Sequence, residues 1–139
     1  MAEDCIFCRI VAGTAPASII AETPAALAFM DIDQPTPGHV LIIPRAHVEY
    51  IYGLTDELAA EVFALTLQVA KAVKVALAPD GMDLFQANEG AGQQEVFHLH
   101  FHVIARYTGD RDRIRFSWKH TLPPRAELDR MAADIRTAL

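Results

Sequence analysis

Three of the six histidines in this 139-residue chain alternate with apolar residues in the run Phe97-His98-Leu99-His100-Phe101-His102-Val103-Ile104. The period of two, after a Gly/Asn/Gln-rich segment from Asn88 to Gln94, predicts a β-strand over Val96 to Ile104. Strand side chains point alternately to opposite faces, so His98, His100 and His102 share one face while Leu99, Phe101 and Val103 face a core. Imidazole nitrogens bind a metal at about 2.0–2.1 Å, yet the α-carbons of His98 and His102 would lie about 13 Å apart on a straight strand. One ion does not gather all three, and at least one histidine has another task. A neutral imidazole, with an ordinary pKa of about 6.5, attacks phosphorus without a separate base. His100, at the centre, is the candidate nucleophile, its other ring nitrogen requiring an acceptor such as a backbone carbonyl. His102 is placed to donate to a phosphate oxygen or to the leaving group. Charge neutralisation dominates phosphoryl transfer. No lysine or arginine falls between Lys74 and Arg106. Asn88, Gln94, backbone amides and the histidines must therefore supply the donors.

Cys5 and Cys8, the two cysteines of the chain, form one C-x-x-C. Two thiolates at this spacing are half of a tetrahedral zinc site, and histidines must complete it. The candidates are His39, His47, His98, His100, His102 and His120. His47 follows a strand end and His98 lies nearest the loop, which makes them the leading pair. A redox pair is the alternative, weakened because that motif normally follows a strand and opens a long helix. Two unligated thiols are the other. His39 and His120 read as hydrogen-bonded structural residues. Gly90-Ala91-Gly92 is a weak phosphate-loop signal, with no Walker-type lysine after it. Asp31 reads as a turn-capping acid or a ribose ligand, and Phe29 and Ile32 as core.

These residues need elements to hold them. A short helical turn over Cys5 to Ala12 presents the thiols. Ser18 to Glu22 and Ala25 to Ile32 form a hairpin, Asp33 to Gly38 is a Pro/Gly loop, and His39 to Pro44 is a buried strand. Thr55 is an N-cap with Asp56 and Glu57 in the first turn of a long helix. Its stripe is Leu58, Val62, Leu65, Val69, Ala72 and Ala76, and it ends near Ala78-Pro79-Asp80-Gly81. Met82 to Ala87 is a strand and Arg125 to Leu139 a second helix, with Leu128, Met131, Ala132, Ile135 and Leu139 at helical spacing. Thr108 to Pro124, with Trp118 as its apolar anchor, has no assignable element. Hairpin strands interrupted by one long helix predict an α+β fold with a mostly antiparallel sheet of about five strands. Its open edge invites homodimerisation.

A chain that is 52% hydrophobic buries the core of one domain, residues 1–139, without disulfides. The net charge of −6 argues against counterion-release binding to long nucleic acids, though one small phosphate group remains admissible. The acidic Met1-Ala2-Glu3-Asp4 precedes no apolar export segment and no run approaches a membrane span, so a soluble cytoplasmic protein is expected.

His98-Leu99-His100-Phe101-His102-Val103-Ile104-Ala105 resembles the signature of the histidine triad (HIT) family of nucleotide hydrolases and transferases. Cys5-Ile6-Phe7-Cys8-Arg9-Ile10, Leu27-Ala28-Phe29-Met30-Asp31-Ile32, Pro37-Gly38-His39-Val40-Leu41-Ile42-Ile43-Pro44 with His47, and Asn88-Glu89-Gly90 match the motif order of its zinc-containing bacterial members. The likeness spans residues 5–107 and leaves 108–139 as an extension. It implies a homodimer with sheets joined across the interface and one purine mononucleotide site per subunit, AMP being the expected nucleotide. By the resemblance, His100 is the nucleophile that forms a nucleotidyl-histidine, which water resolves, and His102 contacts phosphate and leaving group. Asp31 matches the ribose-binding acid, Phe29 and Ile32 the base pocket, and Asn88 and Gln94 the phosphate-loop contacts. Cys5, Cys8, His47 and His98 match the structural zinc ligands. The chain departs from the pattern at Gln93, where glycine is common, at Glu95, where Ser or Thr is found, and at Ala105, where proline is frequent. A carboxylate at residue 95 favours a phosphoramidate or small adenylate over a dinucleoside polyphosphate. Two other functions compete with this enzyme: a zinc-stabilised nucleotide- or partner-binding module with little turnover, and a metalloenzyme using zinc-bound water.

Overall fold

The computed structural model describes residues 4–117 and 119–139. Helix α1 (Ile6–Val11) is followed by strands β1 (Ile19–Glu22), β2 (Ala26–Met30) and β3 (His39–Pro44). Helix α2 (Asp56–Leu77), strands β4 (Gly81–Gln86) and β5 (Phe101–Arg106), and helix α3 (Arg125–Arg136) complete the chain. The five strands form one antiparallel sheet in the order β1-β2-β3-β5-β4. The long helix thus carries the chain from β3 to β4 at the far edge, leaving room for β5 between them.

Period-two alternation sorts the central strands into two cores. Ala26 and Ala28 of β2, Val40 and Ile42 of β3, and Val103 and Ala105 of β5 pack beneath Val62, Leu65, Val69 and Val73 of α2. Leu27, Phe29, Leu41 and Ile43 point to the opposite face and meet Phe7 of α1. Thr55 caps α2 by accepting from the Leu58 amide. The buried stripe of α2 runs through Val73, whereas Ala72 and Ala76 are exposed. A straight helix turns 100° per residue, so the i+4 step from Val69 keeps Val73 under the contact and carries Ala72 off it.

One glycine is dictated by packing. Gly38 has φ +109°, and a Cβ there would stand 2.7 Å from Leu77 Cδ1 and 2.9 Å from the Ala105 Cβ. Gln34 closes the same loop, donating from Nε2 to the Asp31 and His39 carbonyls and accepting at Oε1 from the Gly38 and His39 amides.

The histidine strand is shorter than the alternation suggests. β5 starts at Phe101, and residues 96–100 run up to it without ladder bonds to either neighbour. The Leu99 amide donates instead to the Val48 carbonyl at 2.7 Å. Beyond β5, Arg106 pairs with Asp83 and holds Asp110 through two hydrogen bonds of 2.8 and 2.7 Å. This clamp turns the chain back across the site. Helix α3 then forms with none of its residues buried, so its apolar stripe is unpacked. Trp118 lies outside the described residues. No helix among the described residues is long and apolar enough to cross a membrane.

Candidate functional site

The irregular segment before β5 lets neighbouring histidines serve different sites. Cys5, Cys8, His47 and His98 bring their ligand atoms within 4.8 Å of one another. Cys5 Sγ lies 3.5 Å from His98 Nδ1, and Cys8 Sγ lies 3.2 Å from His47 Nδ1 and 3.6 Å from His98 Nδ1. A tetrahedral ion bonded to sulfur at about 2.3 Å and to nitrogen at about 2.05 Å separates the two donors by about 3.6 Å. The cluster therefore fits one such ion nearly as it stands. His98 is fully buried and donates from Nε2 to the Pro44 carbonyl at 2.8 Å. That bond fixes the tautomer with the Nδ1 lone pair toward the thiols. Burial pushes the His98 pKa down, which keeps the ring in the ligand form.

His100 is turned away from this cluster. Its Nδ1 lies 2.7 Å from the His98 carbonyl. A carbonyl only accepts, so Nδ1 carries the proton and Nε2 keeps its lone pair. Phe7 packs edge-on against His98 and His100 at 5.8 and 5.2 Å. One α1 side chain thus supports both rings. Burial lowers the His100 pKa, and Asp31 and Glu95 oppose that shift.

His102, in β5, faces the same side as His39 of β3. His39 donates from Nδ1 to the Asp33 carbonyl at 2.8 Å, Asp31 Oδ2 lies 3.5 Å from the same nitrogen, and His39 Nε2 meets His102 Nδ1 at 2.8 Å. Two proton placements satisfy this chain. With both rings neutral, His102 Nε2 offers a lone pair. With one extra proton on His39, beside the Asp31 carboxylate, His39 donates to His102 Nδ1 and His102 Nε2 carries the hydrogen. The nitrogen–nitrogen contact is shorter than the roughly 3.3 Å that two nitrogens on a tetrahedral ion would keep. His39 and His102 are therefore a hydrogen-bonded pair with the Asp31 carboxylate 3.5 Å away, rather than a second metal cluster. Phe85 of β4 stacks on His102 at 4.1 Å and 12°, and Phe116 from the tail packs edge-on against Phe85 at 5.5 Å.

Burial, with the adjacent His100 and His39, pushes the His102 pKa down to about 3. Between about pH 6.5 and that value the unfolded chain binds a proton that the folded chain refuses, so stability is full above pH 6.5 and falls as pH drops. Thermal melts between pH 7 and 5 should show a declining Tm, and His102→Gln should flatten the decline. An equal slope in the variant would rule out His102 as its source.

A groove of about 1260 Å³ opens over these rings, walled by Phe29, Asp31, Phe85, Glu95, His100 and His102, with Ile114 and Phe116 of the tail closing one side. That is ample for a mononucleotide and a leaving group. Of the residues singled out from the sequence, Phe29, Asp31, Ile32, His100 and His102 line it, Ile32 being 102% exposed at its rim. Asn88 and Gln94 are not among its lining residues. Asn88 Oδ1 accepts from the Ile51 amide. Gln94 accepts from the Glu89 amide and donates to the Glu49 and Val96 carbonyls, so its side chain braces the loop. Gln93, at a position where glycine is common, holds φ +67°, a left-handed conformation costing a non-glycine residue about 1–2 kcal/mol. His39, which the sequence reads as a hydrogen-bonded structural residue, is hydrogen-bonded as expected, but its partner is His102 in the groove, and the register that brings the two together is not a local property.

The chain is thus a small α+β protein whose antiparallel sheet presents paired histidines in a groove beside a Cys2His2 cluster. Residues 12–109 match the HIT domain, and the chain belongs to the HIT family. It is 39% identical over 102 residues to the adenosine 5′-monophosphoramidase of Schizosaccharomyces pombe, covering 73% of this chain and 74% of that protein. The crystal structure of a HIT family protein from Bacillus anthracis superposes with a TM-score of 0.94 at 35% identity, over 100% of this chain and 99% of that one. A zinc-bound histidine triad family protein from Mycobacterium smegmatis gives a TM-score of 0.73 at 33% identity, over 98% of each chain.

Proposed function

We infer that this protein is a hydrolase or transferase that cleaves a nucleoside monophosphate, AMP, from a phosphoramidate or related leaving group through a nucleotidyl-histidine on His100. The observation that carries this reading is the hydrogen bond of His100 Nδ1 to the His98 carbonyl, which leaves Nε2 unprotonated at the groove. The adenosine 5′-monophosphoramidase activity of the fission-yeast relative supports the choice of nucleotide and leaving group.

In the first step Nε2 forms a bond to phosphorus as the phosphorus–nitrogen bond breaks. The departing amine takes the proton on His102 Nε2, and the His39 proton moves across to His102 Nδ1. The resulting nucleotidyl-imidazolium keeps its Nδ1 hydrogen on the His98 carbonyl, which spreads the new positive charge. Water then attacks phosphorus, giving its proton to His102 Nε2 while the Nδ1 proton returns to His39. AMP leaves, and both rings regain their starting state. Phe29 and Ile32 are assigned to the base and Asp31 to the ribose. With Asn88 and Gln94 bound internally, phosphate contacts fall to the histidines and to backbone amides of the loop they brace.

Cys5, Cys8, His47 and His98 would hold a zinc ion. The soft thiolates and the S···N spacings support that metal, and its role is to tie α1 to the sheet. A homodimer accounts for the unpaired outer edge of β4, where Leu84 is 47% exposed, and for the exposed Phe63 and Leu67 on α2. The working compartment assigned to it is the cytoplasm.

Mass spectrometry of protein quenched in acid-free denaturant after mixing with adenosine 5′-phosphoramidate tests the reading. The expected result is a transient adenylyl mass on the peptide carrying His100. Binding without adduct or AMP release would leave a nucleotide-binding module instead.

A further inference from the structure

The groove is unusual for a phosphoryl site in the signs of its charges. The titratable side chains lining it are Asp31, Asp33, Glu95, His39, His100 and His102, with no lysine or arginine among them. Phosphoryl-transfer sites commonly use a fixed cation to draw electron density from the transferring group. Here three carboxylates face a substrate that is itself anionic.

The three do not have equivalent roles. Asp31 stands 3.5 Å from His39 and accepts from the Asp33 amide, so its charge lies beside the His39–His102 pair and its oxygen closes its own turn. Asp33 follows it on the same loop. Glu95 comes from a different element, the loop that leads into the histidine segment, and its side chain is exposed. Among the described residues it joins no hydrogen bond or ion pair, and its field acts on His100. With base and ribose assigned to the Phe29–Asp31 wall, Glu95 is the carboxylate that lines the groove from the other loop, on the side left for the leaving group.

We propose that Glu95 is a specificity-determining residue that sorts leaving groups by charge, admitting amines that bear a cationic substituent and rejecting those that bear a further phosphate or carboxylate. The proposal rests on the nucleotidyl-transfer reading above. A unit charge within several ångströms of a carboxylate at a partly hydrated surface changes binding by roughly tenfold in either direction. The effect weakens with salt, because Glu95 is open to solvent.

The test uses three AMP phosphoramidates whose leaving amines match in size and carry a terminal ammonium, a neutral amide or a carboxylate. Wild-type kcat/KM should fall in that order, with a span of roughly 100-fold between the charged extremes at low salt and a narrower one in 0.5 M salt. Glu95→Gln should compress the span to under about tenfold, and Glu95→Lys should invert the order. An unchanged order and span in Glu95→Gln, with the neutral substrate still turned over, would overturn the role of Glu95 alone. Failure of wild-type protein to turn over any of the three would overturn both this role and the nucleotidyl-transfer reading.

Discussion

Replacing His100 with alanine should lower turnover of an AMP phosphoramidate by at least about 10⁴-fold and abolish the adenylyl adduct. Removing a covalent nucleophile eliminates the reaction path rather than one stabilising contact, so what remains reflects only binding and polarisation. The variant should keep its fold. His100 is buried, but among the described residues its side chain hydrogen-bonds only to a backbone carbonyl beside it, and its ring packs against Phe7 and His102. The lost packing should cost about 1–3 kcal/mol. Metal content should stay at wild-type level, since His98 keeps its bond to the Pro44 carbonyl and its approach to both thiols. Steady-state kinetics, intact mass and metal analysis on the same preparation decide the matter. Near-normal turnover in a folded, metal-replete His100→Ala protein would eliminate the covalent route.

Stripping the metal should act in the reverse order, on stability first and chemistry second. The ligand cluster joins the N-terminal helix to two separate points, His47 after β3 and His98 before β5. Helix α1 has six residues, far below the length at which a helix holds in water unaided. Without the proposed ion its retention would rest on Phe7 and a few neighbours. Structural zinc sites supply large folding energies in minimal domains. This chain has its own core, so a loss of about 3–5 kcal/mol and a Tm decrease of about 10 °C or more is expected from chelation or from Cys8→Ser. Well below that Tm, the stripped protein should still form the adduct on His100. If adduct formation ceased at the first equivalent of metal removed while Tm was unchanged, the ion would be a catalytic one.

The sequence makes the sheet, the long helix and the Cys/His cluster legible because each has a local signature. Alternation marks the strands, Thr55 marks the start of α2, and two thiols three residues apart ask for two more ligands. Three features are not local. The histidine run reads as one strand from Val96, yet β5 begins at Phe101, because the irregular turn that aims His98 at the thiols breaks a pattern the apolar residues keep. His39 looks like a structural histidine until antiparallel register places it against His102. Ile114 and Phe116 sit in a charged tail with no periodicity, and the turn that brings them to the groove is held by long-range bonds, Arg106 to Asp83, Asp110 and the Ile114 carbonyl and Tyr107 to the Pro37 carbonyl. Asn88 and Gln94 show the opposite case. Polar residues in a loop before a catalytic strand invite assignment to the ligand, whereas the backbone groups of a tight loop also need partners and take these side chains first.

The hydrogen bond from His100 Nδ1 to the carbonyl of His98 bears on how such a chain can change over evolutionary time. Residue 98 contributes its ring to the Cys/His cluster and its peptide oxygen to His100, with a single residue between the two. A one-residue insertion or deletion there would misplace both sites at once, and no compensating substitution elsewhere would restore them together. A change of length in this short stretch is thus costlier than one in the exposed loop before it, where residues 89–93 are free of both clusters.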